Sequence, residues 1–178
     1  MQNKTNEISV QAFSIKAFSS WDMDWFVLSC GDFKKGRYNA MTVAWGGFGS
    51  MWSLPMALAV VRPSRYTFQF LNQFDTFTLC AFPESLKPAL NLIGTKSGRD
   101  GDKIQESGLT PIAAKIVDAP VYEQAELIVE CKKMYWDDFK PEHFLHSDIE
   151  KHYLNGDFHR MVIGQILSIS GDQSKYSS

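Results

Sequence analysis

Between Asp24 and Phe82 the chain is a succession of short apolar segments bounded by turn residues, a pattern that steers it toward antiparallel β-structure. WFVLSC (25–30), NAMTVAW (39–45), MALAVV (56–61) and TFTLCAF (76–82) have strand length and are rich in β-branched and aromatic residues. The connections GDFKKG (31–36) and GGFGSMWSLP (46–55) carry the Gly and Pro that punctuate a β meander. SRYTFQFLNQF (64–74) places Tyr66, Phe70 and Phe74 at four-residue spacing behind Pro63, with Ser64 suited to N-capping, which predicts a helix. ESLKPALNLIG (84–94) predicts a second helix ending on a C-cap at Gly94, followed by a polar loop, SGRDGDK (97–103). AELIVECKKMYW (125–136) and HRMVIGQILSIS (159–170) read as long strands, KPEHFLHSDIEKHY (140–153) as a helical insertion between them, and SGDQSKYSS (170–178) as a frayed tail. The expected fold is mainly β, a mostly antiparallel barrel with a few helices, in one domain spanning 1–178.

With 18 basic residues against 20 acidic ones and no like-charge run, the chain carries no electrostatic footprint for nucleic acid or an anionic membrane. Its opening, MQNKTNEISV, lacks the apolar centre of a secretory signal, and no apolar stretch approaches spanning length, so a cytoplasmic protein is expected. In that setting the Asn3-Lys4-Thr5 acceptor triplet is accidental, and Cys30, Cys80 and Cys131, far apart in apolar runs, read as buried thiols. His143, His146 and His152 stand near Glu142 and Asp148, but without the helical i, i+4 pair of a metal site; no metal is expected. No serine nucleophile elbow, Walker loop or post-strand G-x-G-x-x-G occurs.

The stretch from Tyr38 to Thr67 gathers small residues, two tryptophans, two prolines and two arginines around one apolar strand, more than a core requires. We read it as the seat of a flat, anionic cofactor. Asn39 and Thr42 offer side-chain hydrogen bonds, while strand alternation turns Asn39 and Met41 to one face and Ala40 and Thr42 to the other. Gly46, Gly47 and Gly49 leave room for a ligand at the backbone, and Trp45 and Trp52 either wall off a planar ring or plug the barrel. Arg62, Ser64, Arg65 and Thr67 surround a helix start whose free N–H groups suit a phosphate, although an isolated R-P-S-R is more commonly a capped surface helix. Ser97 to Lys103 adds anion donors, Lys103 foremost. His159 opens a strand, where it can meet a nucleotide or donate a proton at neutral pH.

Four segments in order, NAMTVAWGG (39–47), VRPSRYT (61–67), KSGRDGDK (96–103) and DFHRMVIGQI (157–166), resemble the flavin reductase-like, FMN-binding split-barrel family, in its flavoredoxin-type branch, from about Trp25 to Ile166. The resemblance implies a split β-barrel homodimer holding FMN non-covalently near the subunit interface. It places Asn39, Met41 and Thr42 along the isoalloxazine with Trp52 close by, and Arg62, Ser64, Arg65, Tyr66 and Thr67 around the ribityl phosphate. The Ser97 to Lys103 loop forms a second phosphate wall, and His159, five residues before Gly164, approaches the nicotinamide or acceptor side. Gln165 stands where the family often has Glu. The implied activity is NAD(P)H-dependent flavin reduction, with electrons passed to free flavin, oxygen, iron or a redox protein partner. Two alternatives stay open: a flavoredoxin-like carrier that does not turn over NAD(P)H, and a non-catalytic flavin- or haem-binding module.

Overall fold

The computed structural model describes residues 5–178, so Asn3 and Lys4 of the acceptor triplet lie outside the described residues. The strands are β1 (Asn6–Glu7), β2 (Phe26–Asp32), β3 (Arg37–Val43), β4 (Gly46–Met51), β5 (Leu54–Val61), β6 (Thr76–Ala81), β7 (Pro111–Ala113), β8 (Pro120–Tyr122), β9 (Leu127–Asp138) and β10 (Arg160–Gly171). The α-helices are α1 (Tyr66–Gln73), α2 (Lys87–Thr95), α3 (Lys103–Ser107) and α4 (Gln173–Tyr176).

One antiparallel sheet runs β3-β2-β6-β9-β10-β5-β4, with β1 added on β10; β7 and β8 form a separate pair. Its two end strands, β3 and β4, do not pair with each other, although only Ala44 and Trp45 separate them in the chain. The sheet therefore curls around a shared core and stays split along that seam. The core takes alternate residues from each strand: Leu28, Met41, Ala59, Leu79, Val129 and Val162 all point into it. Val27, Ala40, Cys80 and Ile128 face the other way, under Leu90 and Ile93 of α2. With both faces covered, all seven residues of β2 are buried, which is why its sequence shows no polar alternation. Each large side chain so buried, such as Phe26 or Leu28, contributes about 1.5–3 kcal/mol. Gly164 of β10 is fixed by this packing, since a Cβ there would lie 2.6 Å from the Phe77 ring.

Several expectations change. The stretch 46–55 is a β4–β5 hairpin, closed by a two-residue turn in which Trp52 and Ser53 both have positive φ, 53° and 59°. The space at Gly46 is taken by the Trp21 indole, 2.4 Å from where a Cβ would sit, so that glycine accommodates a core ring and leaves no opening for a ligand. Gly94 lies inside α2, pressed against Thr42, and does not cap it. The insertion 140–153 is two 3-10 turns, Pro141–His143 and Ser147–His152, because it has no apolar stripe to dock: Leu145 remains exposed. The tail is anchored. Asp172 caps α4, and Lys175 pairs with the buried Glu126 at 2.6 Å.

Candidate functional site

The end of α2 and the start of α1 meet beside β3, and the space between them is a cavity of about 170 Å³. It brings together Met41, Ser64, Arg65, Tyr66, Thr67, Ser97 and Lys103, all expected from the sequence, with Gly94, Thr95, Lys96 and Arg99. A second hollow of about 470 Å³ shares Tyr66 and Lys103 and includes Asn39.

The cations are held by carbonyls. Arg65 donates from Nη1 to Gly94 O at 2.9 Å, and the buried Lys103 ammonium donates to Ile93 O at 2.8 Å and Lys96 O at 3.0 Å. Both serve the negative end of α2, where the last carbonyls lack helical partners. Burial, and after it the Arg65 guanidinium, pulls Lys103 down to about 8. Arg99 packs over the Tyr66 ring at 4.9 Å and donates to Ser64 O at 3.3 Å. Of Lys96, Arg99, Arg65 and Lys103, Lys96 alone has an ion pair among the described residues, with Glu106 at 2.6 Å. Three cations thus face one small space without a carboxylate to balance them. Ser97 Oγ accepts from Arg99 N at 3.2 Å and shapes the turn.

Asn39 is buried and acts as a brace, its Nδ2 donating to Thr67 Oγ1 at 2.7 Å and Ala40 O at 3.3 Å. Three expected residues lie elsewhere. Thr42, on the outer face by strand alternation, donates its hydroxyl to Leu90 O and locks β3 to α2. Trp52 sits at the hairpin tip against Tyr135, with ring centroids 6.2 Å apart, and lines neither cavity. Arg62 lies outside the cavity lining; its two terminal nitrogens donate to Asp157 O at 3.0 Å and His152 O at 2.8 Å. Ser64 does not cap α1, whose N-cap is Arg65; its N–H and hydroxyl bind the Asp157 carboxylate at 3.1 and 2.5 Å.

His159 is buried beside Trp45, whose ring centroid is 5.0 Å away, and its Nδ1 lies 2.7 Å from the Tyr153 hydroxyl. Burial first, then the Arg62 charge, lowers it to about 4, so at neutral pH it is an uncharged imidazole and not the acid that its ordinary value would allow. The sequence reading places Tyr153 at the end of the helical insertion and gives it no role; it follows directly after the 3-10 turn Ser147–His152. Lys96 and Arg99 were within the quoted KSGRDGDK segment, but their direction depends on where α2 stops.

All three cysteines are free and buried, and burial pushes the Cys30 thiol up to about 12, so none offers a thiolate nucleophile. Among the described residues no helix is long and apolar enough to cross a membrane, and no group of three His, Cys, Asp or Glu is placed to hold a metal.

Fold and site together define an antiparallel split barrel with a cationic cavity at the junction of α1 and α2. Residues 24–177 match the model of the flavin reductase like domain, and the chain belongs to that family. Its fold is similar to an FMN-binding domain of a flavin reductase-like enzyme from Shewanella baltica (16% identity, 97% of this chain and 80% of that one, TM-score 0.70). It is also similar to flavoredoxin of Desulfovibrio vulgaris (21% identity, 95% and 78%, TM-score 0.65). A third similar structure is an NADH:FAD oxidoreductase of Streptomyces globisporus (16% identity, 86% and 81%, TM-score 0.64). No curated protein matches the sequence.

Proposed function

We propose that this chain binds FMN non-covalently and works as an NAD(P)H-dependent flavin reductase, delivering electrons to free flavin, oxygen, iron or a redox protein. The observation that carries the reading is the set of three cations without an ion pair among the described residues, Arg65, Arg99 and Lys103, around one cavity at the first turn of α1. A phosphate fits that donor set. It meets two guanidinium groups, the remaining N–H of the Lys103 ammonium, the Ser97 hydroxyl and the free amides that open α1. Charge neutralisation by a dianion would also relieve the repulsion that Arg65 exerts on Lys103.

Bound FMN supplies the two-electron chemistry that no side chain here offers. The protein's own part is to hold and orient. Asn39 fixes Thr67, and with it the α1 turn, while Met41 gives the cavity an apolar wall. His159 remains uncharged at neutral pH and faces the nicotinamide or acceptor as a polar, non-acidic group. We further propose a homodimer, since Trp52 and Tyr135 form an exposed aromatic pair of the kind a second copy of the chain would cover. The buried reduced thiols suit a cytoplasmic setting.

The test is a visible spectrum of the protein after FMN addition and gel filtration, followed by anaerobic NADH or NADPH. Retained flavin bands that bleach with either nicotinamide support the reductase. Retained bands that persist with both leave an electron carrier, and a well-folded protein that takes up no FMN overturns the reading. A single intense Soret band on the protein as purified would mark a haem module instead.

A further inference from the structure

Tyr153 is a buried phenol whose hydroxyl meets Nδ1 of His159 at 2.7 Å, with the two rings edge to face at 82° and their centroids 5.5 Å apart. The Arg62 guanidinium packs over the Tyr153 ring at 5.1 Å. The same guanidinium holds the carbonyls of His152 and Asp157, one on each side of Tyr153 in the chain, so this arginine clamps the loop that carries the phenol. Trp45 and Phe139 pack against the imidazole at 5.0 and 6.4 Å.

An uncharged imidazole carries one N–H, and the network decides which nitrogen has it. Burial disfavours a second proton, and so do Arg62, Arg65 and His152 nearby; Asp157 opposes them and does not prevail. Either atom can donate in this contact: were Nδ1 protonated, the phenol oxygen would accept and its own buried proton would have no partner among the described residues, whereas with the phenol donating to Nδ1 the ring proton sits on Nε2 and both members of the contact are satisfied. Nε2 makes no hydrogen bond to the described residues, yet no buried side-chain nitrogen or oxygen is left unpaired. The Nε2 edge is therefore the part of the ring open to a ligand. It lies in the neighbourhood of the cationic cavity: Arg65 is near enough to influence His159, and the cavity residue Ser64 is bound to Asp157, two residues before it.

We propose that Tyr153 is a positioning residue that fixes His159 as the uncharged Nε2–H tautomer. His159 then offers a hydrogen-bond donor to a carbonyl or carboxamide oxygen of the molecule that exchanges electrons at the cavity. The identity of that molecule rests on the flavin reading above, whereas the tautomer does not. His159 then orients its partner and transfers no proton.

The experiment is long-range ¹H–¹⁵N correlation NMR of the imidazoles, with and without FMN, in the intact protein and in Tyr153→Phe. The expected result is a His159 ring protonated at Nε2 and not at Nδ1 across neutral pH, and a mixture of tautomers in Tyr153→Phe with FMN affinity unchanged. For NADH or NADPH oxidation, kcat/KM should fall about 3- to 10-fold in Tyr153→Phe, the size of one lost hydrogen bond. His159→Gln removes the ring whose tautomer Tyr153 fixes, so in that background Tyr153→Phe should cause no further fall in kcat/KM. Wild-type His159 protonated at Nδ1, or a Tyr153→Phe protein with an unaltered tautomer, would overturn the proposal. Because the NMR reads the ring without turnover, a protein that fails to oxidise NAD(P)H but shows the expected tautomer contradicts only the reductase reading.

Discussion

The turn from Arg62 to Ser64 feeds two neighbourhoods that treat positive charge in opposite ways. On one side, Arg65, Arg99 and Lys103 stay close together around a cavity, held by carbonyls and by no carboxylate among the described residues. On the other, Arg62 is paired with Asp157 at 4.0 Å and stacked on an aromatic ring, and the nearby His159 is discharged. Two arginines three residues apart thus have different settings: Arg65 lines a cavity, and Arg62 secures a loop. A concentrated, unbalanced charge marks the place for an anion, whereas a balanced one marks structure.

The largest effect that would break this contrast is at Arg65. Arg65→Ala should weaken FMN binding roughly 10- to 100-fold in a fluorescence titration, the range for losing a charge-assisted hydrogen bond. An unchanged affinity would move the phosphate elsewhere. Next comes Gly98→Ala, whose Cβ would lie 2.3 Å from Asn39 Oδ1 and 2.9 Å from the Tyr66 ring. It should cost about 1–3 kcal/mol in denaturant unfolding and also weaken FMN, because the brace and the cavity wall must both move.

A smaller effect sharpens the role of Lys103. Its folded-state value of about 8 lies below the ordinary 10.5, so charging it costs stability fully below pH 8, and that cost fades as pH rises from 8 to 10.5. A bound anion favours the charged form. FMN affinity should therefore be flat at neutral pH and weaken as pH rises above about 8, with Lys103→Met removing that limb. The smallest effect is expected at Arg62: Arg62→Ala should leave the FMN Kd within about threefold while speeding amide hydrogen exchange in 152–158, since it releases two carbonyls there. A loss as large as that of Arg65→Ala would erase the distinction between the two sides.

Much of this architecture could be read from residue types, and the exceptions have physical causes. β2, β3, β5, β6, β9 and β10 announce themselves because β-branched and aromatic residues report burial directly. β4 does not, since Gly46, Gly47 and Gly49 carry no strand preference; the strand exists through pairing with β5 and the Trp21 ring laid on Gly46. The tail, polar along its length, is ordered by the distant Glu126, which no local pattern shows. In the site, the inward face of β3 and the residues after Pro63 were legible because alternation and helix starts are local rules. The direction of Arg62 was not, because it is decided by carbonyls some 90 residues away. His159 was legible as a candidate at a strand start, but its Tyr153 partner was not, since that contact is made by a loop residue placed by packing and not by periodicity.

The most direct measurement is a calorimetric titration of flavin-free protein with FMN and, separately, with riboflavin, which keeps the ring and lacks the phosphate. The cationic cavity predicts that FMN binds at least roughly 100-fold more tightly, as two or more charge-assisted contacts require, and that Arg65→Ala removes most of the difference. Equal affinities for the two would contradict it.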